Sequence, residues 1–304
     1  MPPLRFGVVR IQNRPWDELV ADFRQIEAWG FDNAWIYDHL SWPSRAEPDR
    51  DKPWFECWVT LGALFEETST LRIGPLVASM TLRNPTMLAA HAMTAHQISG
   101  GRLELGIGAA GAPRDHAATG VPEWSPSERA PRFGEYVEVV SRLLDGERVD
   151  YEGELYPVAD AELFPEPGRP LRPPLTIAAH GPKALAVVAR FADSWSSVAV
   201  PSSSTRGGRA APERDEQLEV ARNRNRMLDD LCAENGRNPR GIVRSFLTPI
   251  GSREPIPDVD TFSSYVADLK AAGMNEILMT WPDDRTQLDA LASIADALPL
   301  LRTI

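Results

Sequence analysis

Lysine is scarce in this 304-residue chain: Lys52, Lys183 and Lys270 are the only three. Schiff-base chemistry needs a lysine held at a rigid site, and all three fall in segments that read as loops or helices. Cysteine is scarcer still, with Cys57 and Cys232 both in helix-like stretches, so a disulfide framework is excluded and two reduced thiols are expected. No segment approaches the roughly 20 consecutive apolar residues of a membrane helix. The longest uncharged stretch, 84–101, is broken by Pro85, His91, His96, Gln97 and Ser99. Met1-Pro-Pro-Leu-Arg5 lacks the apolar run of a signal peptide. The expectation is a soluble, cytoplasmic protein. Its net charge of -11 argues against binding to nucleic acid or to an anionic membrane.

Several chemistries are missing as well. The chain has no HExxH and no CxxC pair, and His91 and His96, five apart on a helix, point about 140° from each other. A metal site is therefore not expected. No G-x-S-x-G supports a serine nucleophile. The Gly-rich turn of a dinucleotide-binding fold is absent too: Arg10-Ile-Gln-Asn-Arg14 follows the first strand.

What is present is alternation. Short apolar runs rich in β-branched or aromatic residues alternate eight times with longer helical patterns. Strands are expected at 6–10, 34–37, 72–77, 103–107, 175–179, 194–198, 242–247 and 276–280. Helices are expected at 16–29, 54–68, 85–99, through Phe133, Val137, Val140 and Leu144 to 146, and at 182–191, 213–235, 260–272 and 285–298. Such alternation implies βαβ units and a parallel sheet, and eight of them imply a closed α/β barrel, the (β/α)8 TIM barrel, as one domain over 1–304. Insertions after strands four and six are expected at about 109–127, 147–173 and 199–213. The last holds the one low-complexity segment, 201–209, whose Arg206 and Arg209 suit either a clamp over the barrel mouth or a solvated loop.

Barrel active sites are built at the C-terminal ends of strands, and that rule filters the candidates. Asp38-His39 follows strand two; histidine suits proton transfer near neutrality, and an adjacent carboxylate can orient it. Leu105-Gly-Ile-Gly-Ala-Ala-Gly111 ends strand four in small residues that let a flat ring approach. Ala179-His-Gly-Pro-Lys183 opens a helix whose free N–H groups favour an anion, though each of these loops also reads as a plain turn or cap. An apolar substrate pocket would draw on Trp42, Phe55, Trp124, Trp195 and Trp281.

In their order and spacing these segments resemble the luciferase-like monooxygenase superfamily, barrels that use a flavin or the deazaflavin coenzyme F420. The resemblance rests on Trp35-Ile-Tyr-Asp-His39, Leu71-Arg-Ile-Gly74, Leu82-Arg-Asn-Pro85 and Gly100-Gly-Arg-Leu-Glu-Leu-Gly-Ile-Gly108. It continues through Tyr151-Glu-Gly-Glu-Leu-Tyr156, Ile177-Ala-Ala-His-Gly-Pro-Lys183 and Ala192-Asp-Ser-Trp195. It implies that His39 lies near the hydride-transferring carbon of a deazaflavin, with Asp38 orienting it. It implies a non-proline cis peptide around Pro75-Leu76-Val77 beneath the ring. It also implies a ring seat at Gly108, Ala109, Ala110 and Gly111, and a cofactor-phosphate loop at Ala179, His180, Gly181 and Pro182. Two positions depart from the family pattern: Ala110 and His180 each stand where glycine is common. Near Gly111 the related sugar-phosphate dehydrogenases carry a proton-donating glutamate, which argues against a sugar phosphate as substrate.

The resemblance thus implies hydride transfer between reduced F420 and a small hydrophobic organic molecule. The alternative on the same scaffold is an FMN-dependent monooxygenase that uses reduced flavin and oxygen, fed by a separate reductase. A non-catalytic cofactor carrier and a phosphate-substrate lyase are the readings from other classes. A homodimer through 54–68 and 85–99 is a further implication of the family.

Overall fold

The computed structural model describes residues 3–41, 51–109, 111–170, 172–198 and 212–304. The chain packs as two compact units, one of Met1–Arg10, Gln25–Trp35 and Ala179–Ile304, the other of Ile11–Arg24 and Ile36–Ala178.

The first unit is built on β1 (Arg5–Val9), β2 (Asn33–Ile36, up to Trp35), β9 (Ser194–Val198), β10 (Val243–Leu247) and β11 (Glu276–Thr280). They pair in parallel in the order β2-β1-β11-β10-β9, with Gly7 opposite Asn33, Val9 opposite Thr280, Phe246 opposite Ile277 and Ser196 opposite Ser245. Ile277, Leu278 and Met279 are fully buried, as expected of parallel strands covered on both faces. One polar cluster interrupts this interior. Asn33 Nδ2 donates to Glu276 Oε1 (2.9 Å), Trp35 Nε1 donates to Asn33 Oδ1 (2.9 Å), and Arg5 pairs with Glu276 at 3.1 Å. Gly7 makes room for it, because a Cβ there would overlap the Asn33 amide. The unit's helices are α6 (Pro182–Phe191), α7 (Arg214–Glu234), α8 (Val259–Ala271) and α9 (Arg285–Leu301), the last two capped by Asp258 and Asp284.

The second unit carries β3 (Arg72–Pro75), β4 (Ala78–Ser79), β5 (Leu105–Gly108) and β8 (Leu175–Ala178). β4 pairs with β5 and β5 with β8, all parallel, and Ile73 bridges Leu103. Its helices are α2 (Cys57–Glu67), α3 (Pro85–Ile98), α4 (Pro113–Thr119) and α5 (Pro126–Leu144). Asn84 caps α3 by accepting from Met87 N at 2.8 Å, with Pro85 in the first turn. Ser125 and Glu128 form a reciprocal capping box on α5. α1 (Trp16–Ala28) runs through the boundary at Arg24 and buries Leu19, Phe23 and Ile26, the i, i+4, i+7 positions expected of it.

Arg102 explains one of the motifs. It donates to Ser99 O, Thr68 Oγ1, Leu71 O and Phe65 O at 2.6–3.3 Å, closing the C-terminal ends of α2 and α3.

The eight strand–helix pairs of the sequence are all present, with three local differences. α2 starts at Cys57, not 54, because Glu56 caps it by accepting from Val59 N at 2.8 Å. The first insertion contains α4. The second, 147–173, contains an antiparallel hairpin of β6 (Val149–Tyr151) and β7 (Val158–Ala161). Of the third, 199–211 lies outside the described residues, and so do Arg206, Arg209, Trp42 and Ala110.

Candidate active site

The second unit brings the strand-two and strand-four candidates together. Beyond β2 the chain leaves the sheet at Tyr37, whose N–H donates to Gln12 Oε1 at 3.1 Å. Asp38 and His39 then take separate partners. Asp38, 2% exposed, accepts from Ser79 N (3.0 Å) and Arg83 Nη1 (2.7 Å) through Oδ2. Arg83 reaches on to Glu56 Oε1 (2.5 Å), Tyr136 donates to the Arg83 carbonyl (3.1 Å), and the guanidinium lies 5.8 Å from the Trp58 ring centre. Burial raises the Asp38 pKa above the ordinary carboxylate range, against the opposing charge of Arg83.

His39 bonds elsewhere. Its Nδ1 lies 2.6 Å from Asp115 Oδ2, and the Leu40 N–H donates to Asp115 Oδ1 at 3.2 Å. The His39 side chain is 30% exposed and that of Asp115 only 3%. Trp54 Nε1 donates to the His39 carbonyl at 2.7 Å, and the Tyr37 ring stands edge-on to the imidazole. The expectation that Asp38 orients His39 is thus corrected: the Asp38 carboxylate is engaged by Ser79 and Arg83, and the group that meets the imidazole comes from α4.

The peptide between Leu76 and Val77 is cis, and it separates β3 from β4. Leu76 N donates to Ile36 O at 2.8 Å, which places this turn beside the end of β2. Gly108 faces Val77 so closely that a Cβ on it would overlap the valine methyl, and Gly111, at φ 147°, leaves the same kind of room for Arg129. Small residues at the end of β5 therefore serve close packing within the unit. Trp124 is half-buried, edge-on to His116 and 4.6 Å from the Arg132 guanidinium. Phe55 stands edge-on to Trp16.

The first unit holds the remaining candidates. Ala179 N donates to Ser196 O (3.2 Å), and Trp195 Nε1 donates to Ala179 O (2.9 Å). Gly181 precedes α6 with no side-chain cap, Pro182 sits in its first turn, and Lys183 is exposed. His180 Nδ1 is buried with no hydrogen-bond partner among the described residues. Burial first, and the charge of Arg224 second, lower its pKa to about 4. Arg224, 7% exposed, donates to Ser197 Oγ (2.8 Å) and Val198 O (2.9 Å). Burial brings its own pKa down to about 10.

Two of the substrate-pocket tryptophans are corrected. Trp195 has no exposed surface, and Trp281 is 3% exposed and tilted against Trp29 at 5.2 Å. Both side chains pack into the interior, so neither lines an accessible pocket. Asp115, Arg83 and Arg224 are the residues that sequence reasoning missed. Arg83 stood inside a motif without a role. Asp115 follows Pro113 in a segment that read as a connection, and the proline at a helix's first turn was the one signal available. Among the described residues no three His, Cys, Asp or Glu gather as a metal site, and no helix is long and apolar enough to cross a membrane.

Known proteins bear on this geometry. Over 177 residues the chain is 38% identical to the F420-dependent glucose-6-phosphate dehydrogenase of Segniliparus rotundus, a match covering 58% of this chain and 50% of that protein. The chain spans about half the length of the curated relatives it matches. Among solved structures it superimposes on an F420-dependent secondary alcohol dehydrogenase in complex with an F420-acetone adduct, with a TM-score of 0.78 and 18% identity, covering 97% of this chain and 99% of that one. It also superimposes on the coenzyme F420-dependent tetrahydromethanopterin reductase of Methanopyrus kandleri, with a TM-score of 0.74 and 17% identity over 96% and 97% of the two chains. These likenesses show the α/β barrel fold. The luciferase-like monooxygenase family matches residues 4–224, nearly three quarters of the sequence, and the chain belongs to that family.

Proposed function

We propose that this protein is an F420-dependent oxidoreductase acting on a small, hydrophobic organic substrate. The observation that carries the reading is His39: an imidazole at the end of β2, anchored through Nδ1 at 2.6 Å yet 30% exposed. With Nδ1 held by Asp115, Nε2 is the ring nitrogen that this reading assigns to proton transfer. The relatives named F420-dependent support the choice of cofactor.

The residues present fit such a group. Within the first unit the uncapped N-terminus of α6, the buried Arg224 and a His180 Nδ1 with no partner among the described residues suit an anion. When bound, F420 supplies two-electron hydride chemistry, and the protein supplies position and proton handling. His39 gives or takes the proton that balances the hydride at the substrate oxygen or carbon, through Nε2. The Asp38–Arg83–Glu56 chain holds the backbone of the β2 and β4 ends in register, so that the imidazole keeps its place.

Gly111 provides no acid at the strand-four loop, which supports a substrate other than a sugar phosphate. FMN is the alternative cofactor, with oxygen as co-substrate and a separate reductase to supply it. A homodimer through α2 and α3 is the proposed assembly, since Val59, Met87 and Ile98 leave apolar surface exposed there.

His39→Ala tests the reading. Positioned proton transfer contributes about 10²–10⁴-fold, so F420-linked turnover should fall well over tenfold while F420 binding stays measurable. Unchanged turnover would remove His39 from the reaction.

A further inference from the structure

We propose that Asp115 is a positioning residue that fixes His39 as its Nδ1–H tautomer, leaving Nε2 as the one ring nitrogen able to accept a proton. This rests on the reading of His39 as the proton-transfer group. Nδ1 and Asp115 Oδ2 are 2.6 Å apart. At that separation two lone pairs repel, so a proton lies between them. The imidazole can offer a ring N–H there, and the carboxylate an acceptor oxygen. The second carboxylate oxygen already accepts the Leu40 N–H at 3.2 Å, so the carboxylate is met by a donor at each oxygen. Nδ1 therefore carries the proton.

The clamp has two points, and both matter. One carboxylate holds the His39 ring and the backbone N–H of the next residue, so imidazole orientation and chain path are set by the same group. Asp115 is itself held. Its side chain is 3% exposed, its N–H donates to Ala112 O (3.0 Å), and its carbonyl accepts from Thr119 Oγ1 (2.8 Å) within α4. A buried carboxylate so placed is costly without donors, and the ring N–H and the Leu40 N–H supply them.

The two-point contact makes a specific consequence for Asp115→Asn. An isosteric amide keeps its carbonyl oxygen on the Leu40 N–H, because an NH2 there would face a donor. The NH2 then faces His39 Nδ1, which must become an acceptor, and the ring proton moves to Nε2. The fold stays and the tautomer inverts.

The test is long-range 1H–15N NMR of the imidazoles at about pH 8.5, above the usual histidine range. The chain has five histidines, and His39→Gln identifies the His39 signals. Wild type is expected to show the Nδ1–H pattern at His39 and Asp115→Asn the Nε2–H pattern. In parallel, kcat with F420 should fall about 10²-fold or more, with KM changed less than about threefold. A wild-type Nε2–H pattern overturns the proposal, even if the variant fails to fold. So does an Asp115→Asn spectrum like wild type. Wild type with the expected tautomer but no F420-linked turnover refutes the functional reading and leaves the Asp115 assignment standing.

Discussion

Arg83→Met removes the cation that faces Asp38 while keeping most of the side-chain volume. The two groups are 9% and 2% exposed and meet at 2.7 Å, so this is a buried pair. Breaking such a pair by removing one partner costs about 3–5 kcal/mol, because a charge is left without its partner. The Ser79 N–H remains on Asp38, which places the expected loss near the lower end, about 3 kcal/mol. Glu56 also loses its partner, but at 41% exposure that adds less than about 1 kcal/mol. The loss depends on pH, and its sign follows from Asp38. Burial raises that pKa in the folded protein above its unfolded value, so between the two the folded state holds the proton more tightly, and stability falls as pH rises through the window. Losing Arg83 moves the upper edge higher. The variant should therefore be about 3 kcal/mol less stable than wild type at about pH 8, and the loss should be smaller at about pH 5. Urea unfolding followed by tryptophan fluorescence at both pH values measures this. Equal losses at the two pH values, or a loss below about 1 kcal/mol at pH 8, would refute the buried-pair account.

Two further outcomes follow from other residues. The His180 pKa is lowered from 6.5 to about 4, so the unfolded state binds more protons in that window, and stability present above it is lost as pH falls through it. His180→Gln should flatten that acid limb by on the order of 1–2 kcal/mol; an unchanged limb in a stability-against-pH series would contradict it. Gly108→Ala would drive a methyl into Val77, and overpacking of this kind costs about 1–3 kcal/mol in urea unfolding. A neutral Gly108→Ala would mean that the β5 end has slack that the packing does not show.

The barrel was legible because parallel strands buried on both faces read as short apolar runs, and Gly30, Gly100 and Gly146, all at positive φ, punctuate the helices between them. The place of His39 was legible too, since strand-end position needs only the element order. Its partner was not. Asp115 stands 76 residues further on, in a seven-residue helix too short to leave a periodic pattern. The β6–β7 hairpin escaped for a related reason: its second strand, Val158–Ala161, has no buried residue, so no alternation marks it. Trp195 and Trp281 were misplaced because proximity to a strand end does not say which way a side chain points. The chain's own caps corrected the start of α2, where Glu56 outweighs the apolar Trp54 and Phe55.

The central claim is that this member of the luciferase-like family binds and uses F420. It is tested most directly by titrating the purified protein in parallel with F420 and FMN and following binding by fluorescence. The account predicts saturable F420 binding at about micromolar concentration and FMN binding at least about tenfold weaker. Micromolar FMN binding with no F420 binding would contradict it.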